Sequence, residues 1–168
     1  MAGKKVLLVM PPRDFDDDCY EAIRRALEQQ AHTVQVASLG TGVIRGSQGT
    51  AALAEVKLDN VKSYDYDAII FIGGEGATLL FDSEKARQLA KDAKYKVLGA
   101  IGNAVAILAL SGAAEKKRAT SPTEWAGWLV EGGATYTGRP LEVDDKFITA
   151  QDATVVEQFA NAVVKALQ

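Results

Sequence analysis

Few residues in this chain could do chemistry, and most of them sit where an apolar run ends. Cys19 is the only thiol and His32 the only imidazole in 168 residues. Cys19 follows Asp16, Asp17 and Asp18 at the head of a helical pattern. A helix N-terminus lowers a thiol pKa and favours a nucleophile, but three carboxylates beside it oppose that effect. The same thiol reads equally as a small buried side chain on a helix face. The aspartates themselves suit capping and the helix dipole. Joined by Glu75 and Glu124, they would instead make an acidic crevice, able to hold a divalent cation through oxygen ligands or to supply a paired acid and base.

Two turns carry the remaining signals. "GGEG" at 73–76 permits close backbone approach and reads either as a plain strand-to-helix turn or as a ligand-facing one. "GAIGNAVAILA" at 99–109 reads as a buried strand turning sharply into a helix. Many α/β hydrolytic enzymes carry their nucleophile at the apex of such a turn; here the apex is Gly102. Glycine relaxes a backbone that costs a side-chain-bearing residue about 1–3 kcal/mol. The missing side chain either leaves a relaxed turn without chemistry or opens room for a ligand, with the amides of 102–104 directed at it. Asn103 reads first as a helix N-cap and second as a hydrogen-bonding partner for a ligand.

The elements that must position these residues are legible from periodicity. Short β-branched runs at 4–10, 32–38, 66–74 and 96–101 are buried strands. Helical patterns occupy 15–30, 83–95 with Ser83 as N-cap, 104–112 closed by Gly112, 123–131 and 153–167. The Gly-rich, polar stretch 40–62 is expected to form a hairpin or excursion; "RAT" follows at 118–120, and short strands are expected around 134–137 and 147–150. Alternation of strands and helices predicts one domain over 1–168, a flavodoxin-like three-layer α/β sandwich with a mainly parallel sheet. Ligands on such sheets bind at the carboxyl ends of the strands, which gathers the turns 11–19, 73–77, 101–105 and 120–125 into one crevice.

Composition excludes several alternatives. A net charge of −3 without a basic cluster gives no electrostatic reason to bind nucleic acid or an anionic membrane. A single cysteine excludes a disulfide framework and a thiolate zinc site. Met1–Lys5 leads straight into a strand with no apolar leader, so the chain is read as cytoplasmic. "PPRDFD" after the first strand is not a dinucleotide fingerprint. Gly-x-Ser-x-Gly is missing. His32, at a helix-to-strand junction away from the carboxyl edge, leaves a histidine-based triad without its base. Trp125 and Trp128 share a helical face and suit core packing or a subunit contact, with Trp125 a possible crevice wall.

The ordered set "FDDDC" (15–19), "AHTVQVAS" (31–38), "DAIIFIGGEG" (67–76), "AIGNA" (100–104) and "ATS" (119–121) resembles the DJ-1/PfpI (ThiJ) superfamily, from Lys4 to about Leu167. The resemblance implies a cysteine nucleophile at the position of Gly102 and a following histidine at Asn103. It implies a supporting glutamate at Cys19 and, in some members, a histidine at Ser121 or Pro122. It also implies an oxyanion hole built partly from amides at 73–76. Every member of that catalytic set differs here, so the family's peptidase, amidase, glyoxalase and deglycase activities do not transfer. The expected protein is a divergent, non-catalytic or small-molecule-binding member with a possible stress-related role. Its expected ligand crevice comprises Asp16, Gly74, Glu75, Gly76, Gly102, Asn103 and Ser121, with no metal and no cofactor. Homo-oligomerisation as a dimer is expected from the resemblance. The alternative is a hydrolase or glyoxalase/deglycase-type enzyme using Cys19 or the acidic cluster.

Overall fold

Strand β1 (Lys5–Val9) is apolar on both sides of its pleat, and its neighbours explain why. In the computed structural model, which describes residues 3–168, β1 lies between β2 (Thr33–Ser38) and β6 (Ala68–Ile72), parallel to both. Leu7 and Val9 point into one core while Val6, Leu8 and Met10 point into the other. Met1 and Ala2, the start of the run into this strand, lie outside the described residues.

The main sheet has seven strands in the order β10-β11-β7-β6-β1-β2-β5, with β5 at Val56–Lys57, β7 at Val97–Ile101, β10 at Leu141–Asp144 and β11 at Phe147–Ala150. All pairings are parallel except β10 with β11. Helices α1 (Asp17–Gln29) and α5 (Val156–Ala166) pack together on one face. Helices α2 (Glu84–Asp92) and α3 (Val105–Ser111) cover the other, with α4 (Ala126–Glu131) against α3. This is the flavodoxin-like three-layer sandwich that the alternation predicts. Ser83 caps α2 by accepting the Ala86 N–H at 3.1 Å. No helix among the described residues is long and apolar enough to cross a membrane.

The stretch 40–62 forms the expected hairpin, a ribbon of β3 (Gly42–Arg45) and β4 (Ala51–Ala54), after which β5 joins the sheet edge. Two local outcomes differ from the pattern. The strands β8 (Arg118–Ala119) and β9 (Thr135–Tyr136) pair with each other rather than with the main sheet. The half-buried "LEVD" of β10 is a further strand that the pattern does not announce, being an antiparallel edge addition with no crossover helix.

Candidate functional site

From β1 the chain passes to β2 on one side and, after the ribbon, to β6 on the other, so a crevice opens at the carboxyl ends of β1 and β6. Three turns meet there and are tied by main-chain hydrogen bonds. Asp16 N–H donates to Gly73 O at 2.8 Å, and Gly76 N–H donates to Asp14 O at 3.2 Å. Gly74 holds φ 133°, ψ 171°, and a Cβ on it would collide with Asp14 O and Asp16 N. Only glycine fits this crossing.

Asn103 joins the third turn to the second. Its Nδ2 donates to Gly74 O at 2.8 Å, and its Oδ1 accepts Gly74 N–H at 3.1 Å. The helical start at Gly102–Ala104 has no side-chain cap. Asn103 is therefore a two-point clasp between turns, not the N-cap its position suggests. The clasp also occupies the Gly74 N–H, one of the amides that the "GGEG" turn offers a ligand.

Gly102 adopts φ 71°, so the apex keeps a left-handed backbone that disfavours any side chain. Space is not the constraint: a Cβ built there meets nothing nearer than Gly73 Cα at 4.0 Å. The resulting cavity, about 250 Å³, is lined by Asp16, Cys19, Gly73–Glu75, Ile101–Asn103, Pro122, Glu124 and Gln151–Ala153. Of the residues expected there, the fold brings together Asp16, Gly74, Glu75, Gly102 and Asn103, with Cys19 beside them. Gly76 and Ser121 do not line it. Gly76 is buried against Arg13 O, and the fully buried Ser121 turns its hydroxyl to Pro122 O at 2.8 Å. Gln151, Asp152 and Ala153 were missed, although the reading of 147–150 as a strand already put its following turn on the same edge.

The acids divide by role. Asp16 is the N-cap of α1, accepting Cys19 N–H at 3.1 Å. Asp17 turns away from the crevice, is nearly buried, and accepts the N–H groups of Gln48 and Thr50 at 3.0 and 2.9 Å. Burial alone would raise its carboxyl pKa, but the hydrogen bonds from Gln48 and Thr50 outweigh this and hold it below the ordinary value. Asp18 is exposed. Asp16, Glu75, Glu124 and Asp152 stand around the crevice, and its lining holds no lysine, arginine or histidine. No group of three or more His, Cys, Asp or Glu among the described residues comes close enough to hold a metal ion, so the divalent-cation arrangement does not form. Here Asp152 instead caps the last helical segment through Thr154 N–H at 2.9 Å.

Cys19 is 2% exposed. Burial pushes its thiol far above the ordinary range, and the carboxylates of Asp16, Asp18 and Asp152 push it further in the same direction. His32 is half-buried at the opposite edge, where its Nδ1 accepts the Lys4 N–H at 3.0 Å. Trp125 does not line the cavity. It forms an edge-to-face trio with Phe81 and Trp128, with centroids 4.9–5.6 Å apart, against the α2–α3 core.

A model of the DJ-1/PfpI family matches residues 4–166. An uncharacterized protein of Methanocaldococcus jannaschii is 32% identical over all of this chain and 84% of its own length. A Pyrococcus furiosus protein named deglycase PfpI is 23% identical over 86% of this chain and 89% of its own. Among solved structures, a ThiJ/PfpI domain protein from Brachyspira murdochii superposes with a TM-score of 0.94 at 27% identity, covering 99% of this chain and 98% of that one. Drosophila melanogaster DJ-1beta superposes at 0.87 with 23% identity over 98% and 90%. The match along nearly the whole chain and the agreement of the fold place this chain in the DJ-1/PfpI family.

Proposed function

We propose that this protein is a single-domain, divergent DJ-1/PfpI member whose crevice binds a small molecule without cysteine-dependent turnover. The observation that carries the reading is the pairing of Gly102 with Cys19. The apex of the turn has room but no side chain, and the one thiol nearby is buried among carboxylates. A nucleophilic cysteine needs its thiolate at working pH, and the crevice lining holds carboxylates but no histidine or positive charge to favour it. The occupied Gly74 N–H removes one donor for a developing oxyanion. A cavity of about 250 Å³ whose lining includes Ile101, Pro122 and Ala153 beside four carboxylates suits a small neutral or cationic ligand better than an anion. A stress-related role and a cytoplasmic setting belong to the same reading. So does assembly as a homodimer, in line with the oligomeric habit of the family.

Relatives named deglycase and glyoxalase keep a second reading open, that of a hydrolase or glyoxalase/deglycase-type enzyme using Cys19 or the acids. Alkylation tests the Cys19 form of that reading. Cys19 of the folded protein is expected to react with iodoacetamide far more slowly than a free thiol at pH 7–8, and to react readily once unfolded. Native-state alkylation faster than the free thiol, with a plateau below pH 8, would overturn the non-catalytic reading and establish Cys19 as a nucleophile.

A further inference from the structure

The amino edge of the sheet, opposite the crevice, carries a charge pattern of its own. Two shallow depressions lie there, of about 290 and 360 Å³, and Tyr95 is the wall they share. Lys4, Lys96 and Lys146 line the first; Lys94, Lys116 and Lys117 line the second. Among the described residues of the two linings, only Asp67 and Glu115 bring acidic side chains. The chain as a whole has a net charge of −3, and the charged groups lining the crevice are all carboxylates. Only Lys116 and Lys117 are adjacent in sequence; the other four arrive on the segments that enter β1, β7 and β11.

The usual local reasons for a surface lysine do not cover these six. None of them forms an ion pair among the described residues, where the ion pairs are made by arginines and by Lys57. None lies within a helix, where it would answer the dipole of the last turn, and only Lys94 adjoins a helix end. The Lys96 ammonium donates to Ser63 O and Tyr66 O at 2.8 and 2.7 Å, which leaves its third hydrogen for another acceptor. Lys94 Nζ stands 5.1 Å from the centroid of the Tyr95 ring, which is 80% exposed.

We propose that this edge binds a linear phosphate chain, laid across Tyr95 from one depression to the other. Like charges gathered without counter-charges repel one another, and one multiply charged anion relieves them together. A lysine ammonium is a compact point charge on a flexible stem and meets phosphate oxygens from many directions, whereas a carboxylate is matched best by the planar fork of arginine. No arginine is among the described residues of either lining. Such a chain is either free or joined to a nucleoside, and the exposed Tyr95 ring is the surface on which a base would stack. The site is separate from the crevice and does not depend on what the crevice binds.

Isothermal titration calorimetry of the full chain with sodium tripolyphosphate, at low salt and without divalent cations, tests this. Tripolyphosphate is expected to bind about tenfold or more tightly than citrate, a compact tricarboxylate. Lys116→Gly and Lys146→Gln, one from each depression, are each expected to weaken binding about threefold or more. Lys116 holds φ 65°, a backbone that glycine takes without strain, so Lys116→Gly removes the charge and keeps the fold. ATP separates the two sources. Binding tighter than that of tripolyphosphate, with the gain lost in Tyr95→Ala, supports a nucleotide; equal or weaker binding supports the free chain. No binding of tripolyphosphate, or binding that citrate matches, would overturn the proposal. Binding that both lysine variants leave unchanged would overturn the site, and weakening by only one of them would overturn the span across Tyr95.

Discussion

Asp17 shows how one residue can look like site chemistry and serve the scaffold. It belongs to an acidic triplet beside the only cysteine, yet its carboxylate pins the β3–β4 turn through two main-chain N–H groups. Asp17→Asn exchanges a charged acceptor for a neutral one and sets an amide against those donors. It is expected to cost about 1–3 kcal/mol at neutral pH. Because the folded carboxyl is held below its ordinary pKa, its stabilisation is complete above about pH 4 and fades as acid passes through the lower folded value. Urea denaturation of both proteins should therefore show a gap at pH 7 that narrows on acidification. Sequence could place Asp16, Asp17 and Asp18 in a first turn, but not sort them. Their separate roles as cap, pin and exposed charge depend on where the ribbon folds back, a contact 31–33 residues away.

At the scale of elements, the strands and helices were legible because each buries a continuous run or a stripe, as in "KVLLV" and "DAIIFI". What periodicity does not carry is the joining of turns. Asn103 looks like a cap because it opens a helix; only the fold shows that Gly74 is its partner. The clasp predicts that Asn103→Ala leaves the half-buried approach of two turns without its tie and costs about 1–3 kcal/mol. Asn103→Asp keeps an acceptor for Gly74 N–H but turns a second oxygen onto Gly74 O. It should be the worse variant at neutral pH and regain stability as acid restores a donor. Denaturant midpoints at two pH values, with amide exchange at Gly74, check this. The same long-range logic explains the expected site residues that fell outside: Ser121 is fully buried behind the wall, and Gly76 sits under Arg13.

At the scale of the molecule, the parallel sheet gathers the starts of α1 and the α3 segment at one edge, and this chain surrounds that crevice with Asp16, Glu75, Glu124 and Asp152. Acids at helix N-termini are favourable for the fold, and they also make the crevice a poor setting for a thiolate. The family's fold is intact, with Gly102 at the apex of the turn that follows β7. Consumption of methylglyoxal by the purified protein, beside its Cys19→Ser variant, tests whether the crevice binds without cysteine-dependent turnover. Neither protein is expected to exceed the protein-free rate. Turnover by the wild type that the Cys19→Ser variant loses would contradict that reading.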